Sequence, residues 1–167
     1  MKKDVAFSGL EAAIVLIAFV VVAAVFSYVM LGAGFFATQK SQEVTYAGMK
    51  QTTSNLILDG AMYGNAGSTL TQLTLWLKVP EGGDTQEIGY VTFIETVSSG
   101  APTTISKSRV YPSEASVAPG QRQKIVLGLP ASATPGQTFT VEIKPRIGAA
   151  TIVSRTLADG YTGGILY

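Results

Sequence analysis

The sequence predicts an α+β protein: a long N-terminal apolar α-helix followed by an antiparallel β-sandwich. Three observations predict it. Residues 12–39 carry no charge, while Lys2, Lys3, Asp4 and Glu11 precede them and Lys40 and Glu43 follow. Beyond Thr69 the apolar spacing becomes two, with Leu73, Leu75, Leu77 and Val79 alternating against Thr74, Trp76 and Lys78, the pattern of a strand with one buried face. Clusters of Gly, Pro and Ser then punctuate the chain at short intervals, as turns do between strands.

Composition bounds the chemistry. The chain has 167 residues, 12 of them basic, and a formal net charge of +1, and the basic residues form no stripe of the kind nucleic acid requires. With no cysteine, there is no disulfide framework and no thiolate metal site. With no histidine, the commonest general base and metal ligand is missing. No cofactor is expected, and catalysis is excluded as far as a dyad built on histidine or cysteine is concerned. Abundant Ser, Thr and Gly after residue 60, with sparse charge, suit a secreted or assembled protein.

Residues 1–5 are a short polar start, and Lys2 and Lys3 favour a cytoplasmic N-terminus. Ser8-Gly9-Leu10-Glu11 has the S-x-x-E spacing of a capping box, which predicts a helix starting at about Gly9. The uncharged run would be about 42 Å long as a helix, against a hydrocarbon core of about 30 Å. It is apolar on all sides, because Ile14, Val15, Leu16, Ile17, Phe19, Val20, Val21 and Val22 cover a full circle. It exceeds the 7–15 apolar residues or so of a secretory signal core. Residues 38–58 contain no proline, so one helix is expected from about residue 8 to about residue 59, within a helical region 7–60. Asp59-Gly60 supplies the stop. Residues 61–68, with Gly64 and Gly67, read as a linker, and residues 69–167 as the β domain.

Within that domain residues 80–84 form a turn. Further strands are expected over 88–97, 104–111, 123–129, 137–144 and 151–157. Six or seven short strands at this spacing predict an antiparallel sandwich of immunoglobulin-like architecture, without the Cys…Trp…Cys signature.

Several constellations resemble chemistry and have plainer readings. Gly32-Ala33-Gly34-Phe35-Phe36-Ala37 matches G-x-G-x-x-A, but a dinucleotide site needs that motif between a strand and a helix. Inside an apolar helix, small residues serve packing or a slight kink. Glu81 and Asp84 in one turn, or Asp159 beside Gly160, offer oxygen ligands to calcium, yet lack EF-hand-like spacing, so solvated turns are the expectation and no metal is assigned. Trp76 faces away from Leu75 and Leu77, and either meets another subunit or covers a loop. The segments following Asn55 and Asn65 fail the N-x-[ST] pattern, so no N-glycosylation is expected.

The apolar helix admits three roles: a permanent anchor carrying an outside β domain, a long cleaved signal, or a membrane-stored helix that later packs with copies of itself. The small residues Ala12, Ala13, Ala18, Ala23, Ala24, Ser27, Gly32, Ala33 and Gly34 let backbones approach closely. Burying about 20 apolar side chains at roughly 1.5–3 kcal/mol each gives tens of kcal/mol against exposure to water, before ordering costs. Leaving lipid therefore requires an equally apolar replacement, and a bundle of identical helices is one.

The run Ser8-Gly9-Leu10-Glu11-Ala12-Ala13-Ile14-Val15-Leu16-Ile17-Ala18-Phe19-Val20-Val21-Val22-Ala23-Ala24-Val25 resembles the N-terminal domain of archaeal flagellins, the archaellins. So do Gly32-Ala33-Gly34-Phe35-Phe36 and the Gln-, Ser- and Thr-rich helix after Lys40. Phe139-Thr140-Val141-Glu142-Ile143-Lys144-Pro145, Gly148-Ala149 and Ser154-Arg155-Thr156 look like the family's last strands. The N-terminal likeness is shared more loosely with type IV pilins. The resemblance implies a precursor whose short basic leader is removed by a prepilin-like signal peptidase. It implies storage in the membrane before assembly. The mature product is then a helical homopolymer, sometimes with paralogous archaellins, that is turned to propel the cell. Carried onto this chain, residues 1–6 are the basic leader, Lys2 and Lys3 are its charges, and cleavage falls after Val5 or after Ala6, just before Phe7-Ser8-Gly9. Many family members carry glycine immediately before the cut, and this chain does not. Assembly would rest on Ile14, Leu16, Ile17, Phe19, Val22, Ala23, Phe26, Gly32, Gly34, Phe35 and Phe36. If cleavage follows Ala6, Glu11 is the fifth mature residue, where the family likeness implies pairing with a neighbouring subunit's N-terminal amine; the capping box is the local alternative. The competing readings are a static adhesion pilin, which neighbouring motor genes would exclude, and a membrane-anchored surface binding module, which would stay with membranes on fractionation.

Overall fold

The computed structural model describes residues 3–98 and 100–166, with side chains described from Gly9 onward. The chain divides into two compact units, Met1–Tyr46 and Ala47–Tyr167.

A single helix, α1, runs over Lys3–Thr53. Its start departs from expectation. Ser8 has helical neighbours on both sides, so it is not an N-cap and no capping box forms at Ser8–Glu11. The reason is local: nothing between residue 3 and Ser8 is a proline or glycine. The leader and processing residues Lys2, Lys3, Val5, Ala6 and Phe7 lie outside the residues whose side chains are described.

The helix also stops earlier than the Asp59-Gly60 signal. Ser54, fully buried, donates its N–H to the Lys50 carbonyl at 3.0 Å, and its hydroxyl accepts the Asp84 N–H at 2.8 Å. The buried Gln86 amide donates to the Ser54 carbonyl at 3.0 Å and to the Ile147 carbonyl at 3.2 Å. These bonds satisfy backbone groups that a helix end leaves orphaned. Gly148, at φ +112°, lies so close that a Cβ would sit 2.7 Å from the Ser54 carbonyl oxygen, which favours glycine on both conformation and space.

The next residues are therefore strand rather than helix and linker: β1 (Ile57–Leu58) and β2 (Met62–Gly64). Gly60 does take a positive φ of 102°, but in the turn between them. The other elements are β3 (Leu70–Lys78), β4 (Gln86–Glu87), β5 (Thr92–Val97), β6 (Thr103–Thr104), β7 (Val110–Tyr111), β8 (Ser116–Val117), β9 (Arg122–Ala133), β10 (Thr138–Lys144), β11 (Thr151–Thr156) and β12 (Gly164–Leu166). One sheet has the order β12-β2-β3-β9-β7, with β1 also on β3; the second has the order β11-β10-β5-β6; β4 and β8 pair separately. All the named ladders are antiparallel.

Two expected strands are broken. Residues 88–97 open with a 3-10 turn, Ile88–Tyr90, because Gly89 lets the backbone pass Lys107 and the Ser113 carbonyl, where a Cβ would sit 3.0 and 3.1 Å away. Residues 104–111 change sheets through a second 3-10 turn, Lys107–Arg109, leaving β6 in one sheet and β7 in the other. The inner faces of both sheets close on one core. Leu73, Leu75, Leu77, Ile125 and Leu127 come from the first, and Phe93, Phe139, Val141, Ile143 and Val153 from the second. The alternation at Leu73, Leu75 and Leu77 is observed as read.

That core holds one carboxylate. Glu95 is buried with Phe93 on the inner face of β5. One oxygen accepts the Ala131 N–H at 3.1 Å, and Oε1 has no partner among the described residues. Burial raises its pKa above the ordinary 4.5, against the opposing pull of the Ala131 hydrogen bond and the Arg109 charge. A carboxyl that binds its proton more tightly when folded stabilises the fold less as pH rises. The loss begins at the ordinary value and completes above the raised one. Glu95→Gln is expected to flatten this slope, checked by thermal melts of wild type and variant from about pH 4 to about pH 8; parallel slopes would contradict it.

Candidate assembly interface

The residues from 9 to 52 are all exposed in the single chain. Ile14, Leu16, Ile17, Phe19, Val22 and Phe26 have between 62% and 76% of their surface free. At 100° per residue they point in all directions, so no single face of the helix satisfies them. A described span from Gly9 to Thr53 has the length and hydropathy to cross a membrane, with none of it buried in the chain.

The helix surface is ridged. Val15, Ala18, Phe19 and Val22 line one apolar groove, and Val21, Val22, Val25, Phe26 and Val29 line another. Their i, i+3, i+4, i+7 spacing is the geometry into which a second helix inserts its side chains. Gly32 and Gly34 meet open space where a Cβ would stand, so a neighbouring backbone can approach closely there, beside exposed Phe35 and Phe36. The Thr38 hydroxyl donates to the Gly34 carbonyl at 2.9 Å, keeping that polar group off the apolar surface. The G-x-G-x-x-A run lies wholly inside α1, the wrong setting for a phosphate-binding turn. Glu11 lines an otherwise apolar groove with Ala12, Val15, Leu16 and Phe19. Past residue 39 the surface turns polar, with an exposed Lys40–Glu43 pair at 2.7 Å that contributes little to stability.

The β domain carries its own polar ties. Lys50 pairs with Asp84 at 3.1 Å and Arg122 with Asp59 at 2.8 Å. Asp84 is thus engaged by a cation, and among the described residues no three acidic side chains gather. Trp76 does face away from Leu75 and Leu77, and it packs edge-on to Tyr63 of β2 with ring centroids 5.4 Å apart. The Tyr161 hydroxyl donates to the Asn65 carbonyl at 2.9 Å, and burial raises its pKa. The Asn65 side chain in turn accepts the Thr71 and Gln72 N–H groups at 2.8 and 3.0 Å. What read as a linker is therefore a fastened hairpin. The Thr151 hydroxyl donates to the Leu56 carbonyl, tying β11 to the segment after the helix. Sequence reasoning missed Glu95, although the parity it shares with Phe93 and Val97 placed it on the inner face.

An unbroken apolar rod joined in one chain to an antiparallel β domain with a finished core is consistent with the type IV pilin-like class. A family model of archaeal-type flagellins matches residues 6–155. The chain belongs to the archaeal-type flagellin family. It is 34% identical over 193 aligned residues to a probable flagellin 2 of Archaeoglobus fulgidus, covering 96% of this chain and 93% of that protein. It is 32% identical to a probable flagellin 1 of Aeropyrum pernix, with 98% of each covered. Among solved structures, the archaeal flagellum of Methanospirillum hungatei contains a chain 60% identical to this one. Its TM-score is 0.80, with 95% of this chain and 99% of that chain covered.

Proposed function

We propose that this chain is the structural subunit of the archaeal flagellar filament, the archaellum, and that it serves motility by self-assembly. The carrying observation is α1, whose apolar side chains are exposed on every side. Such a helix demands an apolar surround, and identical helices bundled along a filament axis supply it. The likeness to the Methanospirillum hungatei flagellum over nearly its whole length supports the same reading. The role is structural and non-enzymatic, at the extracellular surface.

The finer steps belong to the same proposal. The precursor resides in the membrane through residues 12–39, with the leader charges Lys2 and Lys3 on the cytoplasmic side. A prepilin-like peptidase cuts after Val5 or Ala6, and paralogous subunits join the polymer where they are made. Lipid and bundle are similarly apolar, so transfer between them is nearly balanced in free energy and assembly machinery can drive it. Glu11, in its apolar groove, takes a neighbouring subunit's N-terminal amine, because a buried carboxylate needs a partner. The test is to shear cells and image the released fraction by electron microscopy. Filaments containing this chain are expected, their first ordered residue marks the cut, and Glu11→Ala lowers their yield. A chain that stays in the membrane fraction sinks the filament reading; normal yield and swimming in Glu11→Ala sink the pairing.

A further inference from the structure

The two outer faces of the β domain differ in chemistry. On the first sheet, register brings Ile165, Tyr63, Thr74, Val126 and Tyr111 into one row across β12, β2, β3, β9 and β7. Tyr111 is 61% exposed and Ile165 44%. Trp76 stands beside this row, opposite Lys124, and Lys78 stands opposite Arg122. Arg122 is paired with Asp59, whereas Lys78 and Lys124 have no ion-pair partner among the described residues. This face is aromatic with two free cations.

The second sheet presents hydroxyls and one acid. Thr138 bonds Thr156 at 2.9 Å, and Thr140 bonds Ser154 at 3.0 Å, across β10 and β11. The next row is Ile152, Glu142, Ile94 and Thr104. Ile152 is 66% exposed, and Glu142 beside it has no ion pair among the described residues. Lys144 lies at the end of the same face, two residues along β10.

We infer that, within the filament, the aromatic face of one β domain packs on the hydroxyl–isoleucine face of the next copy, with Glu142 set against Lys78 and Lys124. The inference rests on the filament reading above. Its occupant is a second copy of this chain for two reasons. Glu142, the acid of one face, is opposite in sign to the unpaired Lys78 and Lys124 of the other, with Lys144 set apart at the end of β10, and each face also exposes an isoleucine, Ile152 or Ile165. The two faces are also the opposite outer surfaces of one sandwich and are chemically unlike, so their contact is heterologous. Heterologous contacts propagate into open helical arrays, whereas a self-complementary face closes as a dimer.

The experiment uses the full chain expressed in cells that make filaments. Three variants are compared: Glu142→Lys, the double Lys78→Glu/Lys124→Glu, and all three substitutions together. All lie on exposed or half-exposed outer positions, and melting of the detergent-solubilised chain checks that each folds as wild type does. Like charges brought together are expected to cut sheared filament mass about tenfold or more in the first two, and the combined variant restores it. Normal filament mass in either of the first two, or no recovery in the combined variant, overturns the inference. Wild-type cells that release no filaments of this chain would instead overturn the filament reading on which it stands.

Discussion

Val22→Asp is expected to abolish filaments. Val22 sits near the middle of the uncharged run, 66% exposed in the single chain, and lines two of the helix grooves. If the precursor is held in a membrane as proposed, a carboxylate near the helix centre costs about 2.5–3.5 kcal/mol there. In a bundle of helices the penalty is several kcal/mol per ion, because no partner charge is near. Each copy in the polymer carries the same cost, so the effect multiplies along the filament. The measurement is filament mass in the sheared fraction, together with swimming in soft agar. Val22→Leu, which keeps the apolar surface, leaves both nearly unchanged. Filaments of normal length in Val22→Asp would mean that α1 does not occupy an apolar bundle.

Phe93→Ala is expected to lower the unfolding temperature of the β domain while leaving α1 apolar. Phe93 is 1% exposed, on the inner face of β5, within the core shared by both sheets. Truncating a buried phenylalanine costs about 3–5 kcal/mol, through lost transfer energy and the cavity left behind. Set against a total of about 5–15 kcal/mol for a domain, that is a large fraction, and a fall in melting temperature of roughly 10–20 °C is expected. Thermal melts of the detergent-solubilised chain, followed by the strand signal in circular dichroism, read it directly. A shift of only a degree or two would place Phe93 outside the cooperative core.

Much of this architecture was legible in the residues. An uncharged, all-round apolar run is helix and needs an apolar surround whatever it touches, since both properties follow from composition and the helical period alone. The alternation through Leu73, Leu75 and Leu77 likewise had one physical meaning. The resemblance at both chain ends led to the family that residues 6–155 match. The local signals that misled were those a distant contact outweighs. Asp59-Gly60 is a sound helix stop, but Gln86 and Asp84 bind Ser54 first. Residues 61–68 look like a linker until β3 and β12 pair with Met62, Tyr63 and Gly64. Ser8-Gly9-Leu10-Glu11 reads as a cap only if nothing helical precedes it.

The sequence by itself determined that this chain carries a rod unable to rest in water and a β domain with a buried face. Hydrophobicity and period are properties of residues in order along the chain. Only the tertiary structure decided where the rod ends, which strands share a sheet, that Glu95 lies in the core, and which side chains share an outer face. Those outcomes depend on pairings between residues far apart in the chain, as in the Leu166–Met62 pair of β12 and β2 and the Tyr161–Asn65 bond, and no local pattern encodes such a pairing.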